Sequence, residues 1–371
     1  MPEHGRTPDH DRTPDHTRTP DHGREPGHEQ AAGHGRAPGH EQAPAHPREP
    51  GHRRESVPVR GGDLRVGVWG DRGPLVVAAH GITSSHMAWT LVGPDLGRDH
   101  RFVAVDLRGR GGSRDLPPPY GMAAHADDLA AVIDHYGGRP ALLAGHSMGG
   151  FVVAETARRH PRLVDRLVLV DGGAPLPLPP GAGDVPEAIE RTTGPVLARL
   201  RRTFASRAES RDLWRAHPAF TDWTEACEAY ADYDLVELRD ALPPGRDVAG
   251  TSTGADAGAG ADAGADAGTG AGGLFAAACR LDAALADAPE VYALPGTAPR
   301  ALPVPAVFLR AARGMLDQPD APLYSPGRAS EWLPGVEETT VEDVNHYTIT
   351  LGPAGAAAVA EAVRRSRAPA P

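Results

Sequence analysis

From Val57 onward the chain sets short apolar runs between Gly, Pro and Asp. The stretch DLRVGVWG alternates apolar and polar positions, the mark of an antiparallel strand with one covered face. PLVVAAHG, RFVAVDLRG, PALLAGHS and RLVLVDGG are instead almost continuously apolar and end in turn residues, as parallel strands covered on both faces do. Between them, MAAHADDLAAVIDHYG repeats its apolar positions at helical spacing and stops at Gly137-Gly138, and GGFVVAETARRHP predicts a second helix ending before Pro161. This alternation predicts an α/β fold, a mostly parallel central sheet with helices on both faces. From Pro175 to Leu302 no strand pattern stands out and the pieces are helix-like, among them TDWTEACEAYADYDLVELRDAL, which places Trp223, Cys227 and Tyr230 on one face. Strand signals return at VPAVFLRA and VEETTVEDV, followed by a closing helix, PAGAAAVAEAVRRS.

Two segments cannot join such a core. In the first, a degenerate repeat sets His at every sixth position from His4 to His52, with too little apolar surface between to offset the entropy of ordering. The second, Ala249 to Gly273, is a Gly/Ala-rich linker with periodic Asp. The expected organisation is a disordered tail (1–55), a core segment (56–174), a helical cap (175–302) carrying the insert 249–273, and a second core segment (303–371). Imidazoles six apart on an unstructured chain form no preorganised ligand set, so no metal or other cofactor is expected. The formal charge of −11, without a basic cluster, argues against nucleic acid or an anionic membrane as partner. Cys227 and Cys279 show no metal or redox spacing and are expected to be buried or reduced thiols. No apolar run is long enough to span a bilayer and no hydrophobic leader precedes the tail, so a cytoplasmic protein acting on a small-molecule substrate is expected, its oligomeric state open.

The most specific chemical signal is Gly145-His146-Ser147-Met148-Gly149, placed between a strand and a helix. A serine in that setting sits on a sharp, strained turn that only flanking glycines tolerate, and it is the candidate nucleophile. With HGITSS, DLRGRGGS and DVNHYTI in the same order along the chain, the sequence resembles the α/β-hydrolase family from about Ser56 to Arg367. The resemblance implies a nucleophile, acid, histidine order, an oxyanion hole made by two backbone N–H groups, and a helical cap after the sixth strand. Carried onto these residues, Ser147 is the nucleophile, His346 the general base, and the N–H groups of Ile82 and Met148 form the oxyanion hole. His80 is expected to hold the oxyanion loop, while Asp106, Arg108 and Ser113 are expected to scaffold theirs. His146 is expected to turn away from the pocket. Asn345 stands where the family usually has Gly, which puts the turn carrying the base in question.

The acid has three candidates. The family's usual spacing after the seventh core strand falls on Gly314, which cannot serve, so the loop RAARGMLDQPDAP is longer than the common pattern. Asp317 is the first choice, Asp171 at the end of LVLVDGG the second, and Asp320 the third. The resemblance implies a carboxylesterase- or lipase-like serine hydrolase that cleaves an ester or related acyl bond of a small, largely apolar substrate through an acyl-enzyme. Thioester, lactone or carbon–carbon bond hydrolysis and cofactor-free perhydrolysis would use the same residues. A hydrolase-fold protein that binds a ligand without turnover is the remaining alternative.

Overall fold

The computed structural model describes residues 51–137, 140–179, 181–238, 273–293 and 298–367. The chain divides into two units, Met1–His46 and Pro47–Pro371; the first, like most of the tail and the linker at 249–273, lies outside the described residues. In chain order the strands are β1 (Arg53–Val59), β2 (Gly62–Trp69), β3 (Leu75–Ala79), β4 (Arg101–Val105), β5 (Ala141–His146), β6 (Val164–Val170), β7 (Thr203–Phe204), β8 (Leu235–Glu237), β9 (Phe275–Ala277), β10 (Ala306–Ala311) and β11 (Glu337–Val341). The helices are α1 (Val92–Leu96), α2 (Met122–His135), α3 (Met148–Arg159), α4 (Val185–Arg199), α5 (Arg207–Arg215), α6 (Glu225–Tyr233), α7 (Leu281–Asp287), α8 (Arg328–Trp332), α9 (Thr348–Leu351) and α10 (Pro353–Arg367).

Eight strands form one sheet in the order β1-β2-β4-β3-β5-β6-β10-β11. Only the β1–β2 and β2–β4 pairs are antiparallel; every pair from β4 to β11 is parallel. The apolar runs explain why: Val76 to Ala79, Leu142 to Ala144 and Leu167 to Val170 are wholly buried, because helices cover both faces. One face packs on α1 and α10 through Val92, Leu96, Val359 and Val363. The other packs on α2 and α3 through Leu129, Val132, Val152 and Val153.

The fold corrects the expected map in three places. The first strand begins at Arg53, ahead of the expected boundary, and His52 is no part of a loose tail: its ring lies 4.6 Å from that of Trp69, and its Nε2 is 3.1 Å from His86 Nε2. The segment expected as a helical cap holds strands as well as helices. β7, β9 and β8 form a small antiparallel sheet within it, too short to leave a periodic signal. The helix expected across TDWTEACEAYADYDLVELRDAL therefore stops at Tyr233, and Leu235–Glu237 continues as a strand.

The scaffolding expected of DLRGRGGS is visible in its contacts. Asp106 is fully buried; its Oδ1 accepts from His86 N and Nδ1, and its Oδ2 accepts from Gly112 N and the Tyr233 hydroxyl. Burial alone would raise this carboxyl, but the imidazole of His86 and these bonds hold it far below the ordinary range. The Tyr233 bond ties the end of β4 to the cap. Arg108 pairs with Asp128 at 2.6 and 2.7 Å, and Ser113 Oγ accepts from Arg65 N at 2.8 Å.

Candidate active site

Ser147 lies between the end of β5 and the start of α3, with φ of 54° and ψ of −123°. A non-glycine residue there carries roughly 1–3 kcal/mol of strain, and the surrounding backbone holds it. A side chain on Gly149 would collide with Ala79 O, and one on Gly172 with Ser147 O, so both positions admit only glycine. The turn thus projects the Ser147 side chain into a cavity of about 550 Å3 between the sheet and the cap.

His346 follows β11. Its Nε2 is 3.1 Å from Ser147 Oγ, and its Nδ1 is 2.7 Å from Asp171 Oδ2. A carboxylate only accepts, so the ring carries its hydrogen on Nδ1 and leaves the Nε2 lone pair toward the serine hydroxyl. Asp171 is completely buried just past the end of β6, and its Oδ1 accepts from Ala311 N at 3.1 Å. Two neighbouring strands, β6 and β10, therefore fix the carboxylate from both sides.

This geometry overturns the preferred acid. Asp317 does not reach His346: its carboxylate pairs with Arg313 at 2.8 and 2.9 Å and accepts from Asn345 Nδ2 at 3.0 Å. The Arg313 guanidinium holds it below the usual carboxylate range. Asp320 is exposed in a turn. The second candidate, Asp171, is the one the fold brings to the histidine, because the loop carrying His346 leans back across β10 to β6.

The loop after β3 is fixed by His80. His80 Nδ1 is 2.7 Å from Gly81 O, and His80 Nε2 accepts from Leu107 N at 3.0 Å, fixing the ring and the loop after β3. Complete burial pushes His80 down to about 3, so it stays neutral. A side-chain atom added at Gly81 would stand 3.6 Å from Ser147 Oγ, and Gly81, Ile82 and Met148 all line the cavity beside the serine.

Two residues depart from expectation. His146 does not turn away. It lines the cavity, its ring lies 4.7 Å from that of His346, and its Nε2–H donates to His346 O at 2.8 Å. Burial, then the neighbouring His346, push it well below the ordinary histidine value. Asn345 builds the turn before the base: its Oδ1 accepts from Tyr347 N and Thr348 N, and its Nδ2 donates to Ala219 O in the cap as well as to Asp317. Glycine could make none of these bonds. Of the cap aromatics, Tyr230 lines the cavity with His217 and Tyr292, whereas Trp214 and Phe220 pack in the core. Cys227 and Cys279 are free and buried, and burial pushes the Cys279 thiol up to about 11. Among the described residues no helix is long and apolar enough to cross a membrane, and no cluster of three metal-ligating side chains occurs.

A family model described as alpha/beta hydrolase fold matches residues 74–233. An uncharacterized protein of Mycobacterium bovis is 36% identical over 104 residues, 27% of this chain and 30% of that protein. Lipase LipV of Mycobacterium tuberculosis is 31% identical over 185 residues, 50% of this chain and 65% of its own length. The chain thus spans about a third of the first relative and under two thirds of the second. Among solved structures, E-2-(acetamidomethylene)succinate hydrolase superposes with a TM-score of 0.62 at 21% identity, over 84% of this chain and 99% of its own. The parallel sheet, the strained serine turn after β5 and these likenesses together show that the chain has the α/β-hydrolase fold.

Proposed function

We propose that the protein is a serine hydrolase that cleaves an ester or related acyl bond of a small, largely apolar substrate through an acyl-enzyme. The observation that carries this reading is the unbroken hydrogen-bonded chain from Ser147 Oγ through His346 to Asp171 at the wall of a cavity that apolar side chains dominate. Ser147 Oγ attacks the carbonyl carbon while its proton passes to His346 Nε2. Asp171 keeps the ring in the tautomer able to accept that proton and stabilises the imidazolium. The oxyanion of the tetrahedral intermediate meets the N–H groups of Ile82 and Met148, with the positive end of α3 behind them. The intermediate collapses as the C–O bond to the leaving group breaks and His346 returns the proton to that oxygen. Water, deprotonated by His346, then releases the acid from Ser147 by the same steps.

Leu176, Val196, Val291, Leu323 and Leu351 give the cavity its apolar character, and Arg191 at its rim pairs with Glu187 at 2.6 Å. The likeness to a lipase supports the same substrate class. A turnover series of p-nitrophenyl esters of increasing acyl length tests the reading: short to medium chains are hydrolysed by the wild type, and activity disappears in His346→Ala. Esters left intact by the wild type, with amides or thioesters cleaved instead, would reject the ester assignment.

A further inference from the structure

The cavity at Ser147 has two unlike halves. On the side that continues the core under α2 and α3, Phe151, Leu176, Val291 and Leu323 present only carbon, and the Tyr324 hydroxyl is already bonded to Ala174 O at 2.7 Å. On the side that continues the opposite core, beside Tyr347 and Leu351, the wall carries the polar groups of His217 and Tyr230. His217 Nδ1 accepts from Ala219 N at 3.2 Å, which places the ring hydrogen on Nε2. That N–H has no acceptor among the described residues, and it is not sealed in the core, because the ring is half-buried and lines the cavity. Contacts with Tyr347, Phe220 and Trp214, at 5.3, 6.0 and 6.5 Å between ring centroids, hold its orientation. Burial pushes the imidazole below the ordinary histidine value, so it stays a neutral donor near pH 7.

The turn that carries His217 is tied to the turn that carries the base. Two residues on, Ala219 O accepts from Asn345 Nδ2 at 3.0 Å, and the Tyr347 ring lies 5.7 Å from that of His346 and 5.3 Å from that of His217. His346 returns its proton to the departing oxygen, so the alcohol part of an ester leaves on this side and the acyl chain takes the apolar one. An alcohol that carries an acceptor satisfies the His217 donor, whereas a plain alkyl chain covers it and leaves it unpaired. We infer that His217 is a specificity-determining residue whose Nε2–H binds a second oxygen, hydroxyl or ether, on the alcohol part of the substrate. Preferred substrates are then monoesters of short diols and of their ethers with an apolar acyl chain. This rests on the hydrolase reading above.

The test sets hexanoate esters in pairs of equal length: hydroxyethyl against propyl, hydroxypropyl against butyl, and methoxyethyl against butyl. After division by their relative rates in alkaline solution, the oxygen-bearing member of at least one pair has the higher kcat/KM by roughly three- to tenfold, the range of a neutral hydrogen bond. His217→Asn keeps the turn, because an Asn side-chain oxygen accepts from the N–H two residues on, but it puts no donor at the Nε2 position, and the advantage disappears. His217→Gln does the reverse: its amide N–H stands near the Nε2 position while the turn bond is given up, and the advantage persists. A role in the turn alone predicts one ratio in all three proteins, with Asn benign and Gln damaging. An advantage absent from every wild-type pair, surviving in His217→Asn, or lost in a His217→Gln protein shown by urea melts to be folded overturns the proposal. Where the wild type cleaves neither ester of a pair, calorimetric titration of Ser147→Ala with the intact esters separates this proposal from failure of the hydrolase reading. Tighter binding of the oxygen-bearing ester that is lost on adding His217→Asn supports the subsite without turnover; equal binding of both esters overturns it.

Discussion

Replacing Asp171 by Asn tests the acid with almost no change of shape. The carboxylate serves two donors at once, His346 Nδ1 at 2.7 Å and Ala311 N at 3.1 Å. An amide has one oxygen and can serve only one of them. If its oxygen faces Ala311, the NH2 group meets His346 Nδ1 and forces the ring hydrogen onto Nε2, where it blocks proton transfer from Ser147. If its oxygen faces His346, two donors confront each other across β6 and β10 at a site with no solvent exposure. The second orientation leaves a buried donor unpaired, a cost of about 1–3 kcal/mol to stability, whereas the first keeps the hydrogen bonds and loses only the tautomer. Loss of the correct tautomer and of the imidazolium's counter-charge is expected to lower kcat/KM by about 10³–10⁴-fold, or about 4–5.5 kcal/mol. Asp317→Asn is the control: that side chain is 24% exposed and its partner is Arg313, so kcat/KM should stay within about threefold of wild type. Steady-state kinetics on a p-nitrophenyl ester, with urea melts to verify folding, decide the matter. A mild Asp171→Asn beside a crippled Asp317→Asn would refute the reasoning.

Two further expectations concern the loops around the serine. His80 and His146 are held neutral, His80 down to about 3, whereas the unfolded chain takes up these protons near pH 6.5. The unfolded state therefore binds more protons on acidification, and the stability these rings contribute is full above about pH 6.5 and falls below it, by about 1.4 kcal/mol per pH unit for each ring. Urea midpoints at pH 7.5 and 5 measure the fall; equal midpoints would show that the rings are free to protonate in the fold. Asn345→Gly removes four hydrogen bonds from the turn before His346 and is expected to destabilise the protein by about 2–3 kcal/mol. Because the base is then less firmly placed, kcat should fall about three- to tenfold with KM little changed; an unaltered kcat would show that the turn holds without the side chain.

The sheet was legible in the sequence because strands buried on both faces must be continuously apolar, and the serine turn because strain demands glycines at fixed offsets. The carboxylate that meets His346 was not, because an Asp before two glycines at the end of LVLVDGG looks like an ordinary turn residue. What distinguishes it is the adjacency of β6 and β10, and no local pattern encodes which strands become neighbours. Asp317 drew the preference through its spacing from His346, yet Arg313, four residues earlier, claims its carboxylate. The cap strands escaped because two or three residues cannot display a period. His146 was misplaced for a related reason: its acceptor is a backbone carbonyl 200 positions away.

The proposed chemistry requires Ser147 to be an activated nucleophile. Incubation with a fluorophosphonate probe, followed by peptide mapping, measures this directly, because the probe phosphonylates a serine only where a base and an oxyanion site cooperate. Stoichiometric labelling is expected on Ser147, lost in Ser147→Ala and slowed at least a hundredfold in Asp171→Asn, a bound of about the size of a lost catalytic interaction. A folded wild-type protein that stays unlabelled, or one labelled at another serine, would contradict it.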